Sequence, residues 1–265
     1  NAYRLLRMIN QLLDIRKSEA GLLKLQVAEG DFVKFIYEIL VSFKGVAQHR
    51  GIDLSYQTHQ PQILVWYDRD EMEKVLYNLL SNALKFTPEG GKIQVEIWVD
   101  KVSKKVVVAI QDTGPGIPQE QLPHIFDRFF SLENQTRKIE GTGIGLALSK
   151  NIVEAHHGQI LVESAEGAGA TFLLQLPLGD QYFTVEQKIP GFKDSEQIEL
   201  YHEQLEMSVS TSNGFGQSDQ EERSMPAETT RTHQVLIVED NPDIRAYLKE
   251  RLIKEFQILE AVDGQ

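Results

Sequence analysis

Residues 105–118, KVVVAIQDTGPGIP, run from a β-branched segment straight into a carboxylate and two glycines. KVVVAIQ at 105–111 predicts a strand, and Asp112 stands at its end, followed by Gly114, Pro115 and Gly116. A carboxylate in that place can accept a hydrogen bond from an amino group. Glycines beside it let the backbone approach a flat ligand without a Cβ clash. Alone, the same residues equally describe a tight turn containing a proline, so the surrounding sequence has to decide.

Upstream, Asp68 opens a helical pattern with Met72, Val75, Leu76, Leu79, Leu80 and Ala83 at spacings of three and four, ending before Pro88. The same helix carries Asn78 and Asn82 at i and i+4, with Lys85 a turn further, on one polar stripe. Such a stripe is either a solvated face or a set of ligands. Amide oxygens coordinate Mg²⁺ when a bound polyphosphate brings the negative charge, and Lys85 can meet the same phosphates as a point charge. A helix is also expected from Asp31, as N-cap, to about Gln48, with short β-rich runs at 52–56 (IDLSY) and 63–67 (ILVWY). KIQVEIWV at 92–99 alternates and predicts a strand after the Gly90-Gly91 turn, joined to 105–111 through the polar KVSKK. Downstream, a helix is expected from about Gly143 to His157 with Gly158 as its stop, then strands at QILVES and TFLLQL. His156 and His157 read as cations closing that helix rather than as metal ligands. The order predicts an α+β fold, one mixed sheet with helices on a single face.

The 265 residues are 41% hydrophobic and 25% charged, enough to bury a core in one large domain or two small ones. Lys and Arg number 27 against 39 Asp and Glu, a net charge of −12, which argues against direct nucleic-acid binding. With no cysteine, disulfide scaffolds, thiol nucleophiles and cysteine-ligated metals are excluded. No apolar run reaches the roughly 18–20 residues that span a bilayer, so a soluble chain without membrane contact is expected. The chain opens on Asn1 rather than Met, and a fragment of something longer is expected. Residues 180–233 hold 11 acids and 4 bases and little periodicity, which predicts a linker. Its first part, YFTVEQKIPGF at 182–192, keeps enough apolar residues to pack back onto the preceding domain. Before Gly21, apolar residues at Ala2, Leu5, Leu6, Ile9, Leu12, Leu13 and Ile15 form a helical stripe that needs a partner helix.

A third element, the glycine-rich GTGIGLALSK at 141–150, does not follow a strand, as a dinucleotide-binding fingerprint requires. It opens a helix, whose free N–H groups and positive dipole end suit phosphate. The bland alternative is a flexible lead-in with Gly145 chosen for close packing. Taken in order, NLLSNALKFT (78–87), DTGPGIP (112–118), FDRFF (126–130) and GTGIGLALSK resemble the ATP-binding catalytic domain of sensor histidine kinases. The wider family includes gyrase-type and heat-shock chaperone ATPases, and the resemblance covers about residues 68–176.

The resemblance implies a two-layer α/β sandwich that binds ATP and Mg²⁺ between the helix at 68–86 and a lid at about 127–142. Asn78, Asn82 and Lys85 would form the catalytic set, with Asn82 as the Mg²⁺-binding amide. Asn78 stands where ATPase relatives carry a Glu, and an amide cannot act as general base for water. Transfer rather than fast hydrolysis is therefore implied; a hydrolysing ATPase and a non-catalytic scaffold are the alternatives. Asp112 would read the adenine amine, with Gly114, Gly116 and Ile117 beside the base. Phe126 and Phe129 match the lid-base aromatics. Arg137 and Lys138 fall in the lid, near the γ-phosphate. Gly141, Thr142, Gly143, Gly145 and Leu146 match the triphosphate loop.

RLLRMINQLLDIRKSEAG at 4–21 resembles the second helix of the dimerisation and phosphotransfer hairpin, which implies a homodimer. The one His followed at once by an acid, His202-Glu203, falls in the expected linker at 180–233 rather than on a hairpin helix, so this chain is not expected to label itself from ATP. QVLIVEDNPDIRAYLKERLIKEF at 234–256 resembles the start of a receiver domain, where Glu239 and Asp240 would bind Mg²⁺ in a partial, inactive site. The implied organisation is 1–21 hairpin helix, 22–179 ATP-binding domain, 180–233 linker and 234–265 truncated flavodoxin-like receiver. The whole would be a hybrid sensor kinase passing phosphate to a histidine and then to a receiver in cis or a response regulator. This chain would be the cytoplasmic portion of a membrane-anchored protein.

Overall fold

Strand β5 (Lys105–Asp112) is the centre of a five-stranded sheet, because its alternate residues Val106, Val108 and Ile110 are all almost wholly buried. In the computed structural model, which describes residues 24–130, 143–192, 234–238 and 257–261, nine strands and three α-helices are assigned. In chain order the first unit contains β1 (Ala28–Asp31), α1 (Phe32–His49), β2 (Asp53–Thr58), β3 (Leu64–Tyr67) and α2 (Arg69–Phe86). These are followed by β4 (Lys92–Asp100), β5, α3 (Gly145–Ala155), β6 (Gln159–Ser164) and β7 (Ala170–Pro177). The large sheet has the order β2-β4-β5-β7-β6, with β2 parallel to β4 and every other pair antiparallel.

Register explains the two layers. Ile93, Val95, Ile97 and Val99 of β4 lie opposite Asp112, Ile110, Val108 and Val106 of β5. Those in turn face Ala170, Phe172, Leu174 and Leu176 of β7. Paired residues share a face of the pleat, so one apolar row crosses the sheet and packs beneath α1, α2 and α3 in a single core. Asp112 ends that row on the buried face. The helices begin where their caps place them: Asp31 Oδ1 accepts from the N–H groups of Val33 and Lys34, at 3.1 and 3.4 Å. Asp68 Oδ1 accepts from Glu71 N–H at 3.2 Å.

The strand run at 63–67 does not join the main sheet, contrary to the single-sheet expectation. It pairs antiparallel with Ala28–Asp31 in a separate two-stranded ribbon. The sequence AEGD carries no strand signal, but Gly30 allows a close approach: a Cβ there would overlap the ring of Phe192 and lie 3.2 Å from the Tyr67 hydroxyl. Phe192 belongs to a returning segment, in which Val27 N–H donates to Gln187 O and Ile189 N–H to Val27 O, at 2.8 and 2.9 Å.

Helix α3 is shorter than expected, and its closing residue differs in kind. His156 is not a cation. It is 1% exposed, its Nδ1 pairs with Ile152 O at 2.7 Å, and its Nε2 accepts from Asp68 N–H at 3.0 Å. Burial pushes its pKa below the ordinary value, partly offset by the Ile152 carbonyl. With Nε2 as acceptor, Nδ1 must carry the proton, so the ring is neutral. His157 follows with a φ of 58°, and its ring lies 5.8 Å from Tyr182 and 5.7 Å from Phe183.

In the second unit, β8 (Gln234–Val238) and β9 (Gln257–Ala261) pair in parallel. The residues before Gly21 from which a hairpin helix is expected, together with Glu239 and Asp240, lie outside the described residues.

Two stability predictions follow from this packing. Phe43 is fully buried and its ring lies 5.1 Å from that of Tyr77, joining α1 to α2. Phe43→Ala should cost about 3–5 kcal/mol in urea unfolding; a loss below about 1 kcal/mol would contradict that packing. Because folding depresses the His156 pKa, the unfolded chain takes up a proton below about pH 6.5 that the folded chain refuses. Stability should therefore fall as pH drops below that value, and His156→Asn should remove this part of the slope.

Candidate functional site

Helix α2 is the axis on which the polar residues are arranged. Its apolar stripe, Met72, Val75, Leu76, Leu79, Leu80 and Ala83, is buried against the sheet and the other helices. Asn78, Asn82 and Lys85 are left half-buried on another face. Asn78 meets α3: its Nδ2 donates to Ser149 Oγ at 2.9 Å, and a Cβ built on Gly145 would overlap its Oδ1. Two turns further, at the end of α2, the carbonyl of Phe86 lies 2.9 Å from where a Gly114 Cβ would stand. The glycine turn after β5 and the glycine start of α3 therefore both abut α2, four residues on either side of Asn82. Among the described residues, the Asn82 side chain makes no hydrogen bond. The Lys85 ammonium lies 5.1 Å from the Phe86 ring centroid.

Asp112 is 6% exposed at the end of the apolar row. Its Oδ1 accepts from Gly114 N–H at 2.8 Å. Burial raises its pKa above the usual carboxylate value, partly offset by the backbone hydrogen bonds from Gly114 and Ala170. A carboxylate offers about four acceptor sites, so with two backbone N–H donors Asp112 still has acceptor capacity left.

The glycines are needed for a reason other than ligand approach. A Gly114 Cβ would lie 2.7 Å from Asp112 Oδ1, and a Gly116 Cβ would overlap Ala165 O. Gly116 also has a φ of 72°. The turn is thus packed against its own strand end and the β6–β7 connection, and that packing fixes its shape. Ile117 is buried and donates its N–H to Ser164 Oγ at 2.9 Å; that hydroxyl donates to Gly169 O at 2.6 Å.

At the other glycine element, Gly143 has a φ of 66° and Gly145 begins α3 with no side-chain cap. Leu146 is half-buried against the core. First-turn N–H groups without a capping side chain are available to an anion. Phe129 is 63% exposed with a φ of 62°, and its N–H donates to Gly143 O at 2.9 Å. Phe126 packs on the core with the Lys150 ammonium 5.7 Å from its ring centroid. Arg137, Lys138, Gly141 and Thr142 lie outside the described residues.

Three contributors escaped the sequence analysis. Ser149 is 1% exposed in α3 and holds Asn78; its signal was a hydroxyl on an apolar helix face. Ser164 ties the Gly116 turn to β6, with no signal beyond its place at a strand end. Gly169, with a φ of 80°, admits the Asp112 carbonyl where a Cβ would overlap it. The Gly-Ala-Gly spelling at 167–169 could have flagged that turn.

Comparison with known proteins agrees with this geometry. Residues 67–180 match the family described as histidine kinase-, DNA gyrase B-, and HSP90-like ATPase. Histidine kinase P4 of Formosa agariphila is 39% identical over 269 residues, which cover 100% of this chain and 19% of that protein. The chain spans only about a fifth to a quarter of the length of the curated relatives it matches along its whole extent. Among solved structures, the nucleotide-free catalytic domain of histidine kinase ThkA is 32% identical with a TM-score of 0.51, covering 58% of this chain and 96% of that one. ThkA in complex with the response regulator protein TrrA is 26% identical with a TM-score of 0.54, covering 67% of this chain and 48% of that one. The chain therefore contains, over residues 67–180, a domain of the histidine kinase-, DNA gyrase B-, and HSP90-like ATPase family that is similar to the catalytic domain of ThkA.

Proposed function

We propose that this domain binds ATP with Mg²⁺ across the face of α2 and supplies the γ-phosphoryl to a histidine in two-component signalling. The observation that carries this reading is Asp112, a buried carboxylate in an apolar row with acceptor capacity beyond its backbone hydrogen bonds. It suits the exocyclic amine of adenine, with Gly114, Gly116 and Ile117 shaping the wall beside the base. Asn82 and Lys85 face the phosphates, and the uncapped start of α3 at Gly143, Gly145 and Leu146 accepts their charge. Arg137, Lys138, Gly141, Thr142 and Phe129 complete this proposal around the triphosphate.

The donor set fits Mg²⁺: Asn82 offers a neutral oxygen beside an anion site, as expected when the phosphates bring most of the charge. Bound there, Mg²⁺ would neutralise charge on the transferring phosphoryl group. Asn78 has a narrower part. Its amide is held by Ser149 and closes against Gly145, so it positions the α3 loop and cannot take a proton from water. That supports transfer over hydrolysis.

For the remaining sequence, residues 1–21 are proposed as the second helix of a dimerising hairpin, 22–179 as the ATP-binding domain and 180–233 as linker. Residues 234–265 are proposed as the start of a receiver, with Glu239 and Asp240 toward a partial Mg²⁺ site. The parallel pairing of β8 with β9 supports the receiver reading. The phosphoryl group would pass to a receiver in cis or to a response regulator, the kind of partner with which ThkA was solved. No described helix is long and apolar enough to cross a membrane; membrane anchorage is proposed for the full-length protein.

Calorimetric titration of this chain with a non-hydrolysable ATP analogue and Mg²⁺ should give micromolar-to-millimolar binding. Asp112→Ala should abolish it. Asn82→Ala should abolish binding of the Mg²⁺ complex and affect the metal-free analogue less. Unchanged titrations in both variants would refute the assignment.

A further inference from the structure

Asp68 and His156 form a buried connection at the end of the helix pair remote from Asn78 and Gly145. Because Asn78 meets Gly145 while Asp68 meets His156, α2 and α3 run antiparallel along each other. The two ends are separated by ten or eleven residues of helix, roughly 16 Å. At the remote end Asp68, 8% exposed, makes three bonds in three directions besides the helical bond that its carbonyl accepts from Met72 N–H. Its Oδ1 caps α2 through Glu71 N–H, its own N–H donates to His156 Nε2, and its Oδ2 accepts from Gln26 N–H at 2.7 Å.

Only the first of these is required to start a helix. The third reaches 42 residues back to the segment 24–27, which leads into the domain. That segment is held firmly. Leu25 and Val27 are 2% and 0% exposed in a small cluster with Phe183, separate from the main core. Trp66 of β3 and Ala155, the last residue of α3, pack against the same cluster. Phe183 also lies edge-on to His156, ring centroids 6.3 Å apart. Residues 24–27 therefore touch the start of α2 through a carboxylate and the end of α3 through a packed apolar cluster.

We infer that Asp68 and His156 are positioning residues through which the segment 24–27 sets the placement of α3 against α2, and thereby the approach of the Gly143–Leu146 loop to Asn78 and Asn82. The inference rests on the nucleotide reading above. A helix moves as a rigid body, so a shift at His156 is delivered at Gly145. There the fit is close: Gly145 has no room for a Cβ beside the Asn78 amide. A small displacement would open or close this contact and change the anion site at the α3 start.

The test uses this chain and a non-hydrolysable ATP analogue with Mg²⁺. Asp68→Asn keeps a good helix cap but turns an N–H₂ toward Gln26 N–H. Gln26→Pro removes the same bond from the donor side. Ile39→Val, buried in α1 and outside the hydrogen bonds of the junction, serves as a control for lost stability alone. Each junction variant should raise the analogue Kd by at least about 5-fold, and the double variant should fall well short of the product of the two effects. Amide hydrogen exchange over Leu146–Ser149 should speed up in both, while Ile39→Val leaves affinity and that exchange as in the wild type. Unchanged affinity in both junction variants, beside a wild type that binds, would overturn the inference. A wild type that fails to bind would instead refute the nucleotide reading itself.

Discussion

A carboxylate at the end of an apolar row is the constraint on which this site depends. Strand alternation places Asp112 on the same face as Val106, Val108 and Ile110, so it must enter the helix-covered layer. A buried charge left unpaired is costly, and two backbone N–H groups, from Gly114 and Ala170, offset only part of that cost. The turn that supplies the Gly114 bond is in turn shaped by absent Cβ atoms at Gly114, Gly116 and Gly169. The local backbone is thus built around the carboxylate, and what is left over on Asp112 is capacity to accept a further hydrogen bond.

Helix α2 converts that local device into a site. One helix presents Asn78, Asn82 and Lys85 on a face of its own while its other face fills the core. The two glycine elements close on it from opposite sides of Asn82. The same helix begins at Asp68, where the chain entering the domain is attached. Asn78, Asn82, Lys85 and the attachment point therefore share a single rigid element, backed by a second helix running the other way.

Much of this was legible in the sequence because it rests on period and spelling. The α2 stripe, the β4 and β5 strands and the Asp31 and Asp68 caps depend on residues close together in the chain, and the structure places them as the pattern does. The place of Asp112 at the end of a strand was legible in the same way, from KVVVAIQ before it. What escaped depends on contacts distant in sequence. Nothing in AEGD announces a strand; β1 exists because Tyr67 and Phe192 close over Gly30. His156 looked like a charged helix end because the pattern cannot see the Asp68 N–H that makes its Nε2 an acceptor, nor the burial that keeps it neutral. Ser149 and Ser164 were passed over for the same reason, since a hydroxyl gains its role from a partner on another element.

The most direct test of the central claim compares two purines that differ where Asp112 would read them. Titrations with ATP and ITP, each with Mg²⁺, change the exocyclic amine to a carbonyl and leave the triphosphate alone. The account predicts that the wild-type chain prefers ATP by at least about 10-fold, because a buried carboxylate facing a carbonyl lacks its donor, and that Asp112→Asn loses most of the preference. Equal affinity of the wild type for both nucleotides would contradict it.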